Sequence, residues 1–445
     1  MRGLLRDNME INGQGHLVIG GCDVSELAGQ YGTPLYIMDE TLIRSACREY
    51  VESFSSLFAE SQVIYAGKAF LTTGMCQIIK EEGLALDVVS GGELFTALAA
   101  EFPRELIYFH GNNKSPEEID FALEARIGCF VVDNLWELEL LNEKARKHNW
   151  KAPVLLRITP GVEAHTHVYV QTGQLDSKFG FGLAKGVAIE AVRQAASLEH
   201  IDWRGLHCHI GSQILELDCY GVAVELMFDF MAQIKRDLGK EIRELDLGGG
   251  LGIRYTATDK PKTPREYAQV LAASVADAAR RHKLSIPKIC VEPGRSIAGP
   301  AGTTLYTIGS IKEIPGIRTY VAIDGGMSDN PRVALYDAKY EGIVANKGDQ
   351  APQQVVSVAG KCCESGDMLI WDLPVPHIVP GDLLAVFATG AYTFSMASNY
   401  NRLLRPPVVL VNNGSHRLMV KGQSYEDLIT HDLDVEGCSD CSKVS

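Results

Sequence analysis

Between residues 63 and 294 the chain repeats one pattern: a short apolar run, a polar or glycine-bearing turn, then apolar positions at helical spacing. The runs are Val63 to Ala66, Leu84 to Val89, Leu106 to His110, Cys129 to Asp133, Val154 to Ile158, Trp203 to His209, Glu244 to Leu247 and Lys288 to Glu292. Each is short and bounded by turn residues, so the pattern predicts eight strands. Helix starts are legible between them. Ser115-Pro116-Glu117-Glu118 has the form of a capping box with proline at the first helical position, and Asn134 with Glu137 repeats the device. Ala184 to Glu199 and Pro264 to His282 carry amphipathic helical patterns. Eight strands alternating with helices predict a (β/α)8 barrel over residues 40–300, in preference to a doubly wound open sheet.

After residue 300 the texture changes to short runs rich in Val, Ile, Tyr and Thr, punctuated by Gly and Pro. Thr303 to Ile311, Thr319 to Ile323, Leu383 to Thr389 and Pro407 to Val411 predict an all-β domain. Leu17 to Ile19 and Leu35 to Met38 share that texture, so residues 1–39 are expected to pair with 301–445.

Composition narrows the function classes. At 46% hydrophobic and 22% charged, the chain is globular, and its length buries enough surface to need no disulfide or metal staple. A net charge of −14 with no Lys/Arg run argues against nucleic acid and anionic membrane as partners, leaving a small molecule as the expected one. No segment approaches the roughly 18 apolar residues of a membrane span. The opening MRGLLRDNMEING has no apolar core between its charges, so a cytoplasmic location is expected. Eleven scattered cysteines read as reduced thiols. The pair Cys438 and Cys441 lies in a polar tail without a second ligand pair, and His165/His167 and His207/His209 have no third ligand at metal-site spacing, so no metal is expected.

In such a barrel the chemistry lies at the C-terminal ends of the strands. There the sequence places Lys68, then Ser90-Gly91-Gly92-Glu93, His110-Gly111-Asn112-Asn113-Lys114, Asp133-Asn134, Arg157, His209-Ile210-Gly211-Ser212, Gly248-Gly249-Gly250 and Glu292-Pro293-Gly294-Arg295. Glycines after the seventh strand and Gly294-Arg295 after the eighth offer open amides and a guanidinium, which suit a phosphate monoester. Lys68 faces them across the rim, with an apolar strand behind it that is expected to lower its pKa and make it a nucleophile. A phosphate facing an amine points to a phosphorylated aldehyde held as a Schiff base, and pyridoxal 5′-phosphate is the commonest such cofactor. Glu292 would keep its pyridine nitrogen protonated, His209 would stack on the ring and Ser212 would add a hydroxyl to the phosphate.

These motifs resemble the fold-type III pyridoxal-phosphate decarboxylases, most closely those acting on diaminopimelate. Carrying the resemblance are Tyr65-Ala-Gly-Lys68, Asp87-Val-Val-Ser90-Gly-Gly-Glu-Leu94, His110-Gly-Asn-Asn-Lys114-Ser, His207-Cys-His209-Ile-Gly-Ser-Gln213, Gly248-Gly-Gly250 and Glu292-Pro-Gly-Arg295. Beyond the barrel it continues in Asp324-Gly-Gly-Met327, Arg332, Tyr336, Cys363-Glu364-Ser365-Gly366-Asp367, Gly390-Ala-Tyr392 and Asn399-Tyr400-Asn401. The resemblance implies decarboxylation of meso-2,6-diaminopimelate to L-lysine and CO2. It implies Lys68 as the cofactor-bearing lysine, with Asp87, His209, Ser212, Gly249, Gly250, Glu292, Gly294, Arg295 and Tyr392 around the cofactor. Arg295, Arg332, Tyr336 and Tyr392 would meet the substrate; Cys363, the implied acid toward the α-carbon, and Glu364, for the distal ammonium, would come from the other subunit of a homodimer. Phe70 stands where the family usually has Asn, and Lys361 where proline is common.

Two other readings stand beside this one. A related decarboxylase for ornithine, arginine or carboxynorspermidine is opposed by Arg332 and Tyr336, which suit a second carboxylate. A decarboxylase-like binding protein without activity is opposed by the joint presence of Lys68, His209, Glu292 and Cys363.

Overall fold

The structure, a computed structural model, describes residues 5–162 and 177–433. All eight predicted barrel strands form: Ser61–Ala66, Ala85–Val88, Ile107–Phe109, Cys129–Val132, Ala152–Thr159, Ile201–Cys208, Glu244–Asp246 and Lys288–Val291. Each pairs in parallel with the next, and the eighth returns to the first through Val291 opposite Val63, closing the barrel.

Strand alternation explains where the chemistry goes. Ile64, Ala85, Tyr108, Cys129, Val131, Leu155 and Cys290 form a cluster of their own, separate from the larger core beneath the helices, and so face the barrel axis. Side chains alternate along a strand, so positions two or four further on also face inward. Those positions are Lys68, Asp87, His110, Asp133, Arg157 and Glu292. The apolar plug thus ends in a polar layer at the C-terminal rim.

Local signals set the helix ends. Ser115 and Thr263 form full capping boxes with Glu118 and Glu266 ahead of Pro116–Ala125 and Pro264–His282. Asn134 accepts from the Glu137 amide, but the box expected there is only half made. Glu137 instead turns its carboxylate to the buried ammonium of Lys114, at 2.7 Å from Nζ, and to the Asp133 amide at 3.1 Å, one residue before the cap. The segment from Ala184 is broken by Lys185 in the left-handed region, and its helix runs only over Val187–Ser197.

The second sheet is all-β. Gly302–Ile314 is its spine, paired with Leu35–Asp39 and Leu383–Phe387 at its start and with Arg318–Ile323 at its end. Leu17–Ile19 does not join it as expected. It sits in a separate three-stranded sheet with Met9–Ile11 and Cys22–Asp23, although its side chains pack into a core shared with Leu305 and Phe387. Gly342–Val344 and Ser415–Val420 of the large sheet were not expected, nor was the ladder pair Gln354–Ala359 and Met368–Val375. The second of that pair carries Asp372 at φ 54° and Pro374, which break the strand signature. No helix among the described residues is long and apolar enough to cross a membrane.

Candidate active site

A cavity of about 780 Å³ opens at the C-terminal rim of the barrel, where Lys68, His209, Ser212, Gly250, Glu292, Gly294, Arg295, Arg332, Tyr336 and Tyr392 all reach its wall. Asp87 and Gly249 stand one layer behind. Neither Asp87 oxygen has a hydrogen-bond partner, and the Gly249 amide donates to His209 Nδ1 at 3.2 Å.

Lys68 lies on a single turn, Gly67–Ala69, that carries it off the first strand with its side chain open to the cavity. Its pKa is not lowered as the apolar strand suggested. Burial does push it down, but Asp87, then Tyr392 and Glu292, outweigh that and hold the ammonium above its ordinary range. The correction comes from neighbouring strands, which the run Tyr65-Ala-Gly-Lys68 does not reveal.

Glu292 ends the eighth strand between two imidazoles. His110 Nε2 is 2.8 Å from Oε1 and His207 Nε2 is 3.2 Å from Oε2. Burial on its own would raise this carboxyl; the two histidines pull it well below the usual carboxylate range, so it is an anion. His207 is itself pushed down to about 4 by burial and is neutral near pH 7. The nitrogens of His110 and His207 and the Glu292 carboxylate lie within 4.8 Å of one another, a grouping brought together by three different strands. His209 is pushed well below its ordinary pKa by burial, then by Lys68 and Arg157, so its ring is neutral as well.

The glycines after the seventh strand leave no room for side chains. A Cβ on Gly250, which sits at φ 110°, would lie 2.4 Å from Gly211 O, and one on Gly294 would lie 2.9 Å from Ala66 Cβ. Both glycines line the cavity with no side chain covering their backbone. Arg295 closes this end, donating from Nη2 to Ser212 Oγ at 2.7 Å, with its guanidinium 4.7 Å from the Tyr392 ring centroid. Its Nε is buried without a hydrogen-bond partner, as is that of Arg332. An amine, an amide cradle beside a guanidinium, a neutral imidazole and a buried carboxylate are the groups pyridoxal 5′-phosphate requires, and the residues fit it.

Cys363 and Glu364 do not line this cavity. Both are exposed on a loop of the β domain, where Cys363 N donates to Asn401 Oδ1 at 2.7 Å and the Tyr400 hydroxyl donates to Glu364. Cys362 is buried, and burial followed by Asp367 pushes its thiol up, whereas Cys363 is the accessible sulfur. Lys361, where proline is common, donates its amide to Gly325 O at 2.9 Å, a bond proline could not make. Nine free cysteines stand among the described residues; Cys438, Cys441, His165 and His167 lie outside them.

Tyr255, on the cavity wall, and Tyr340, buried behind Arg332, are residues for which the sequence pattern gave no site role. Tyr255 accepts from Arg295 Nη1 at 2.6 Å, and Tyr340 accepts from Arg332 Nη1 at 2.5 Å. The signal for Tyr255 was its place five residues after Gly250, in the loop that leaves the seventh strand.

Residues 42–299 match the family model for the pyridoxal-dependent decarboxylase, pyridoxal binding domain. Over 95% of this chain and 96% of the relative, the sequence is 54% identical to a diaminopimelate decarboxylase of Bacillus subtilis (strain 168). It is 46% identical to one of Synechocystis sp., over 95% of this chain and 91% of that one. The fold superimposes on the crystal structure of diaminopimelate decarboxylase from M. jannaschii in co-complex with L-lysine with a TM-score of 0.90, at 36% identity, covering 97% of this chain and 98% of the other. With the family model matching more than half of the chain and relatives aligned along nearly its whole length, the chain belongs to the diaminopimelate decarboxylase family of pyridoxal-dependent decarboxylases.

Proposed function

We propose that this chain decarboxylates meso-2,6-diaminopimelate to L-lysine and CO2, as a cytoplasmic enzyme acting in a homodimer. The observation that carries the substrate is the pair Arg295 and Arg332, two guanidiniums on the wall of one cavity with Lys68. A second carboxylate on the substrate satisfies both, and a purely basic substrate would satisfy neither.

Bound at the rim, pyridoxal 5′-phosphate supplies an electron sink for the pair left on the α-carbon when CO2 departs. The chain's own residues do the rest. Lys68 would hold the cofactor through its side-chain nitrogen, and Asp87 lies behind it as a charge partner. The amides of Gly250 and Gly294, with Ser212 and Arg295, bind the phosphate, while Gly249 acts from behind through His209. Glu292, kept anionic by His110 and His207, holds a proton on the pyridine nitrogen. His209 offers a neutral ring to the cofactor face, oriented by the Gly249 amide. Arg295, Arg332 and Tyr336 take the distal carboxylate, and Tyr392 borders both cofactor and substrate. Cys363 and Glu364 come from a second copy, Cys363 giving a proton to the α-carbon and Glu364 taking the distal ammonium. Their exposure on a β-domain loop supports that reading.

The test is CO2 release by the pyridoxal-phosphate-loaded protein from meso-diaminopimelate, L-ornithine and L-arginine in parallel. Release from meso-diaminopimelate alone is expected; equal release from ornithine would overturn the substrate.

A further inference from the structure

Tyr255 occupies an unusual junction. It lies on the loop after the seventh barrel strand, yet it is buried in the core of the β domain with Tyr306, Tyr340 and Ile370. Its hydroxyl accepts from Arg295 Nη1 at 2.6 Å, on the barrel side. Its ring lies 4.8 Å from the Arg332 guanidinium, on the β-domain side, and meets the Tyr340 ring edge-on at 5.4 Å. One side chain therefore touches both guanidiniums of the proposed carboxylate clamp, which belong to different domains. The loop is pinned: the amides of Tyr255 and Thr256 donate to Asp259 Oδ2 at 3.0 and 2.8 Å, and Arg6 donates to the carbonyls of Arg254 and Tyr255 at 2.6 and 3.2 Å.

We propose that Tyr255 is a positioning residue that sets the separation and facing of Arg295 and Arg332, and thereby determines specificity for ligands bearing a distal carboxylate. This rests on the dicarboxylate reading above. Arg295 has two calls on it, the Ser212 hydroxyl of the phosphate cradle and the clamp. The Tyr255 hydroxyl draws Nη1 away from the cradle, while the ring holds Arg332 by cation–π attraction. The anion between them then meets donors already in place, which is worth affinity without new contacts.

L-Lysine retains the distal carboxylate and 1,5-diaminopentane lacks it, so the pair isolates the clamp from the rest of the site. Binding of each to holoenzyme is measured by calorimetry for wild type and Tyr255→Phe, which keeps the ring and removes the acceptor. Loss of one hydrogen bond to a charged group predicts that the lysine Kd rises about tenfold while that of diaminopentane stays within about twofold. For turnover, KM for meso-diaminopimelate rises and kcat changes little. Unchanged lysine affinity, or equal losses for both ligands at an unaltered Tm, would overturn the role. A wild type that binds the two ligands equally would instead refute the dicarboxylate reading itself.

Discussion

His110 Nε2 stands 2.8 Å from Glu292 Oε1, so this buried carboxylate is flanked by an imidazole, with His207 on its other oxygen. Glu292→Gln keeps the shape and removes the charge. Turnover of meso-diaminopimelate is expected to fall on the order of a hundredfold or more, as when a positioned charge is removed from a buried site. Cofactor content, read from absorbance, should stay near stoichiometric. Unchanged turnover would refute the assignment.

Lys68 shares the cavity wall with Gly250 and Gly294, and closure of the eighth strand on the first packs Gly294 against Ala66 and Ala69 beside Lys68 rather than across the rim from it as expected. Borohydride reduction of the loaded wild type should leave the cofactor mass on the peptide that contains Lys68. The folded Lys68→Ala protein should show no such adduct, and full-yield labelling at another lysine would remove Lys68 from the role.

Because Cys363 lies on an exposed β-domain loop and Lys68 in the barrel mouth, the two variants Lys68→Ala and Cys363→Ala should complement. In the proposed shared-site homodimer, subunit exchange builds one of the two sites in each heterodimer from intact halves. About half of the wild-type activity per heterodimer should then return. Recovery near zero with exchange confirmed by mass would place Cys363 in its own chain's site or outside catalysis.

Glu93 accepts from the Val89 amide at 2.7 Å, but burial, then Asp87, pushes its carboxyl up to about 7. The folded chain therefore keeps a proton there that the unfolded chain releases from about pH 4.5 upward. Stability from this group is full below pH 4.5 and is lost as pH rises toward 7. Glu93→Gln should flatten the fall of Tm across that window. An identical pH profile for the variant would show that Glu93 does not titrate there.

How legible each element was follows from the range of the forces that set it. Capping at Ser115 and Thr263 depends on residues three positions apart, and the barrel strands on two-residue alternation; both are written in contiguous sequence. Strand Met368–Val375 escaped because it is paired despite Asp372 and Pro374, its ladder to Gln354–Ala359 supplying what its own residues do not. Arg157 and Asp133 were visible as rim residues but not as neighbours, since their contact spans two strands.

The sequence by itself determined the barrel, the all-β portion, and the polar residue that ends each strand, because periodicity and strand-end position are local properties. Only closure of the barrel decided that Glu292 sits between His110 and His207, and that Asp87 raises Lys68 where its own strand would have lowered it. Only packing of the β domain on the barrel put Tyr255 between Arg295 and Arg332. Electrostatics and side-chain convergence depend on distances across the fold: Arg295 lies 40 positions from Tyr255 along the chain, and Arg332, 77 positions away, meets it only when two domains close on each other.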